Sequence, residues 1–249
     1  VEEQTEDICF EAIKQNSFAI KYVKEQTEEM CLLAVQNRGN LIKYVNNKTE
    51  KVCLAAINED CHAIRFIENK TEEMCLLAIK ACYTTIQFIE NKTRNICFEA
   101  IKNSCYAITY IKEQTEEMSL LAVKKYGMVL QFILNKTEKV CLAAIKNSAY
   151  AIQYVENPTK EMCLLAVEKY GMVLKYIKNQ TDEICFKAVE QDPRALQYVR
   201  DQNVDICAFA VLKNNNVIKF IKCPDIKELV EKQLEYNYTK SAKFVNEIC

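Results

Sequence analysis

The chain has no tryptophan, a single histidine (His62), three glycines and three prolines among its 249 residues. So little glycine leaves no phosphate-cradling loop, and one histidine leaves no nucleophile–base pair and is not expected to support a Cys/His zinc site. Charge of one sign is missing too. Lys plus Arg (33) nearly cancel Asp plus Glu (34), and a net charge of −1 exerts no global pull on nucleic acid or anionic membrane. No apolar run reaches the roughly 18–20 residues of a membrane helix, and no signal-peptide pattern is present. What remains is 50% hydrophobic and 27% charged, the composition of a folded, soluble protein.

What is present is repetition. TEEMCLLA occurs at 27–34 and again at 71–78, TEEMSLLA at 115–122 and TKEMCLLA at 159–166, a 44-residue ruler. Halving the ruler aligns ten 22-residue units, numbered here from their first residue: Thr5, Thr27, Thr49, Thr71, Thr93, Thr115, Thr137, Thr159, Thr181 and Asn203. Position 5 is cysteine except for Ser119; position 8 is always alanine; position 18 is always Tyr or Phe; position 19 is Val or Ile.

Each unit reads as two short helices. Thr or Asn at position 1 suits an N-cap, and acids at positions 2 and 3 suit the helix dipole. Apolar residues at 4, 5, 8 and 9 follow a helical period. Position 6 is apolar in every unit as well, which implies cover on more than one side of this helix. A second helix is expected near positions 14–20, with apolar residues at 15, 16, 18 and 19. Gly39, Gly127, Gly171 and Pro193 fall at position 13 and Pro158 and Pro224 at position 22, all assigned to loops. Asn at position 21, as in Asn69, Asn91 and Asn135, suits a left-handed residue ending the second helix. A leucine-rich-repeat horseshoe shares the period but needs L-x-L alternation, which a run such as AIQYV lacks. Helices this short gain stability only by stacking, so the expectation is an all-α fold: an α-solenoid of ten helix-pair repeats over residues 1–223. Residues 224–249 form a degenerate capping unit, in which AKFVNE at 242–247 echoes IQYVEN at 152–157. The absence of a cap before Thr5 and the start at Val1 suggest a piece of a longer chain.

Lines such as TEKVCLAAIKNSAYAIQYVEN resemble the tandem repeats of the domain-of-unknown-function family 4116, on the cadence A-[VI]…[IL]-x-[YF]-[VI]-x-N-x-T over about residues 4–223. The 22-residue spacing is shorter than that family's unit. The resemblance implies a helical repeat without catalytic residues, of a kind common in giant DNA viruses of amoebae and in some bacteria.

Nine of the fourteen cysteines lie on the position-5 ladder and read as small buried hydrophobes; neighbours at helix–helix spacing of about 8–10 Å are too far apart for disulfides. Unpaired thiols in such number favour a reducing compartment: the cytoplasm, or host cytoplasm or virion on the family resemblance. No C-x-x-C occurs, so no metal site and no cofactor are expected, and no enzyme. Binding remains. Position 17 carries Lys21, Lys43, Arg65, Gln87, Thr109, Gln131, Gln153, Lys175, Gln197 and Lys219, five cations and no anion; position 14 adds Phe18, Tyr106, Met128, Tyr150 and Met172. These form a candidate stripe for a protein partner along the second helices, and the chain reads as a non-catalytic interaction scaffold. The alternative is a nucleic-acid-binding repeat protein using the basic last repeats (Lys175, Lys178, Arg194, Arg200, Lys213, Lys219, Lys222). The neutral total and the acids Glu68, Glu90 and Glu156 between them argue against a continuous phosphate track.

Overall fold

The computed structural model describes residues 4–235. Among them every regular element is helical. Each of the ten repeats supplies a ten-residue α-helix followed by a six-residue 3-10 helix, as in Glu28–Asn37 and Gly39–Tyr44 of repeat 2. The all-α repeat architecture expected from the sequence is therefore observed. Contacts divide the chain between Ala122 and Val123 into two compact units. Residues 224–235 are helical with Val230 fully buried; the rest of the expected cap, including 242–247, lies outside the described residues.

The α-helix starts where the threonines place it. The Thr27 hydroxyl accepts the backbone N–H of Met30, and its equivalents repeat this down to Asn203, which accepts from Ile206. The helix stops at position 12, an extended residue whose N–H bonds the alanine carbonyl at position 8, as Asp60 does to Ala56. That same residue caps the next element. The side chains of Asn16, Asp60, Ser104, Asp192 and Asn214 accept the N–H of position 14, a second N-cap that the sequence reading missed.

The second element departs from expectation in type and bounds. It is a 3-10 helix over positions 13–18, so Gly39, Gly127, Gly171 and Pro193 begin it and do not lie in a loop. Six residues is long for this tighter helix, which seldom runs beyond three or four, and an extended residue bounds it at each end. It ends at position 19 in extended geometry, such as Val45 (φ −82°, ψ 124°), and no described non-glycine residue has positive φ. The asparagines at position 21 are thus not left-handed caps.

Stacking explains the columns. Position 8 is fully buried from Ala34 through Ala210 because the next-door 3-10 helix leans on it. A Cβ built on Gly39 would stand 2.2 Å from the Ala56 carbonyl oxygen, and on Gly171 2.2 Å from that of Ala188. Residues of one repeat also finish the hydrogen bonding of its neighbour. Asn103 donates to the carbonyls of Ile79 and Lys80 (both 2.9 Å), and Asn147 to Lys124 (2.9 Å), answering helix-end carbonyls otherwise left open. At position 22, the Gln26 amide donates to Ile20 O (3.1 Å) and Tyr44 O (2.9 Å) while its oxygen accepts from Asn46 N (2.9 Å); Gln180 and Gln202 do the same between their repeats. The 44-residue ruler has a packing counterpart. First helices share a more extensive contact from repeat 2 to 3, 4 to 5 and 8 to 9 than from 1 to 2, 3 to 4, 7 to 8 and 9 to 10.

Candidate binding stripe

A 3-10 helix eclipses residues three apart, so positions 14 and 17 stand one above the other. With positions 15 and 16 mostly buried in the stack, 14 and 17 are left facing outward. Phe18, Lys21, Lys43, Arg65, Gln87, Tyr106, Gln131, Tyr150, Lys175 and Lys219 are exposed; Met128, Gln153, Met172 and Gln197 are half-buried. Within each unit the structure thus places these residues on one face.

The five cations do not simply extend into water. Each lies over the aromatic ring at position 18. Lys21 sits 5.5 Å from the ring centroids of both Tyr22 and Tyr44, Lys43 4.9 Å from Tyr44, Arg65 4.6 Å from Phe66, Lys175 4.7 Å from Tyr176 and Lys219 5.4 Å from Phe220. In repeats 1 to 3 the result is an alternating ladder of cations and rings that crosses repeat boundaries. The neutral members turn back instead: Gln153 bonds Tyr150 O and Gln197 bonds Arg194 O, both at 3.0 Å. Position 14 contributes a second aromatic group, in which Tyr150 packs 5.2 Å from Tyr170 and 6.4 Å from Tyr176. A hydrogen bond with Tyr170 holds the Tyr150 hydroxyl protonated, its pKa pushed up to about 12.

The basic cluster of the last repeats is largely committed internally. Arg194 forms a bidentate pair with Asp192, Lys213 donates to Glu190 O (3.0 Å), Arg200 to Lys178 O (3.0 Å) and Lys222 to Val199 O (2.5 Å).

Position 6, expected to be covered, is covered only in part: Leu32, Leu54, Leu76, Phe98, Leu120, Leu142, Leu164 and Phe186 are each half-buried on the first helices. Apart from Ala208, which is buried in repeat 10, full burial of this helix is confined to positions 4, 5, 8 and 9. The ladder cysteines are buried as expected and carry free thiols. They are more than space-fillers, because Cys53, Cys97 and Cys141 direct their thiols at the carbonyls of Lys48, Lys92 and Lys136 (3.6, 3.8 and 3.7 Å). Burial raises the pKa values of Cys53, Cys97 and Cys141, and those of Cys185 and Cys207 to about 11.

Away from the ladder the structure assembles what the sequence seemed to forbid. Cys61, His62 and Cys82 meet at the junction of repeats 3 and 4, their donor atoms all within 4.8 Å of one another. No spacing motif marks them, since Cys82 belongs to the following repeat.

Residues 159–203 match the model of a domain of unknown function, DUF4116. The matched segment begins on the Thr159 N-cap and runs through repeats 8 and 9 to Asn203. No curated protein and no solved structure matches the chain.

Proposed function

We propose that the chain is a non-catalytic repeat scaffold that binds an extended, acidic segment of a protein partner along its 3-10 helices. One observation carries this reading: all five cations at position 17 are stacked on position-18 rings and remain solvent-exposed, with no acid in the column. Side chains already held on rings lose less freedom on binding than free lysines would, which favours affinity. In repeats 1 to 3 the pitch is set by the stack, so Lys21, Lys43 and Arg65 offer carboxylates a regular series of contacts. The family resemblance adds a viral or host-directed assembly as the setting of that partner.

A displayed random-peptide library selected on the protein is the test. Enriched sequences should be rich in Asp and Glu, and enrichment should disappear when Lys21, Lys43 and Arg65 are changed together to Gln. Selection that survives this change but is lost on Leu76→Ala and Phe98→Ala would move the binding face to the first helices. Oligonucleotide binding that saturates at physiological salt, with no peptide enriched, would favour the nucleic-acid reading instead.

A further inference from the structure

We propose that Cys61, His62 and Cys82 form a binding site for a thiophilic metal ion of the zinc class, bridging repeats 3 and 4. The geometry is of the right scale. Zinc bonds of about 2.3 Å to sulfur and 2.0–2.1 Å to nitrogen put tetrahedral ligands roughly 3.5–3.8 Å apart. Here Cys61 Sγ lies 3.4 Å from His62 Nδ1, and all three donors fall within 4.8 Å of one another, so small side-chain rotations complete the site. Two thiolates and a neutral imidazole neutralise a dication, with two thiol protons released on binding and the fourth corner left to solvent.

Register makes the coincidence informative. The site uses positions 13 and 14 of one repeat and 12 of the next. The corresponding residues are Ser17, Phe18 and Arg38 at the first junction, Gly39, Asn40 and Asp60 at the second, and Tyr83, Thr84 and Ser104 at the fourth. The chain's one histidine and two of its five off-ladder cysteines therefore coincide at a single junction. Supporting groups surround them. Asp60 Oδ1 accepts the His62 N–H (2.9 Å) and stands 3.6 Å from its ring nitrogen, adding negative potential beside a cation. Phe88 holds the imidazole edge-to-face at 6.3 Å, and the Thr84 hydroxyl lies 3.0 Å from Cys82 Sγ, placed to donate to a thiolate. All three ligands are half-buried, which admits an ion while shielding it.

Cobalt(II) titration of the full chain tests this, after confirming that all fourteen thiols are reduced. One equivalent should produce thiolate-to-cobalt charge-transfer absorption with the visible bands of a tetrahedral ion, and zinc should displace it and raise the melting temperature. Cys61→Ser with Cys82→Ser should abolish both signals; Cys223→Ser should leave them unchanged. His62→Gln, at a column where Asn and Thr also occur, should weaken binding and shift the visible bands, and it decides the matter if the double variant misfolds. No charge-transfer band in the reduced protein, a band indifferent to the double substitution, or unchanged affinity in His62→Gln would overturn the site. So would a Cys61–Cys82 disulfide that forms in preference to metal binding when zinc and mild oxidant are supplied together.

Discussion

At the scale of single residues, the ladder cysteine is defined by what replaces it once. Ser119 stands in the same buried column and bonds the Thr115 carbonyl of its own helix at 3.0 Å, an option a shorter, stronger hydroxyl can take. Cys75→Ser is accordingly expected to cost about 1–2 kcal/mol in a denaturant titration, since the hydroxyl is buried but partnered. Thiol reagents should label Cys53, Cys75 and Cys141 only as the chain unfolds, because each is buried with its pKa raised; fast labelling in the native state would refute the buried ladder. The same shifts set a pH dependence. Native thiols such as Cys185 and Cys207 hold their protons to about pH 11, while unfolded ones release them near 9, so the unfolded state binds fewer protons in between. Stability is then fully present below about pH 9 and lost as pH rises toward 11, measurable as a falling denaturation midpoint.

At the scale of elements, the contacts that join repeats are specific enough to test one at a time. Gly171→Ala forces a Cβ toward the Ala188 carbonyl and is expected to cost about 1–3 kcal/mol, although Ala149 occupies the same column one repeat earlier. Gln180→Ala removes a side chain serving Tyr198 O and Arg200 N and should cost about 1–3 kcal/mol by the groups it leaves unpaired. Much of this level was legible in the letters. Alanine at 8, threonine at 1 and the acids after it identified the first helix and its start. The second was misjudged in type because apolar residues at 15, 16, 18 and 19 fit a 3.0 and a 3.6 period equally over so short a run. The position-17 column was legible as cationic, but not its seat on the rings, which depends on where Tyr44 of the next repeat falls. The Cys61, His62 and Cys82 cluster was illegible for the same reason: its members are neighbours only once position 12 is known to meet positions 13 and 14 of the repeat before. Reading those three columns with a 22-residue offset would have found it.

At the scale of the whole molecule, the extensive contacts among described elements join parts of one repeat or of adjacent repeats. Stability is then a sum of local and nearest-neighbour contributions. Gln26→Ala and Asn103→Ala, which share no partner, should lower stability additively to within about 0.5 kcal/mol, as a double-mutant cycle would show. The alternation of more and less extensive first-helix contact carries a consequence for how such a chain can change its length. An even-numbered repeat presents its following face to an odd-numbered one, so the faces belong to two kinds, and the unit of copying is the doublet. Excising residues 49–92 rejoins repeat 2 to repeat 5 and restores the even-to-odd match; excising 49–70 alone sets two even repeats face to face. The shorter product of the larger deletion should melt cooperatively and near the parent, and the smaller deletion should be the more damaging of the two. Chains of this kind would lengthen and shorten in steps of forty-four.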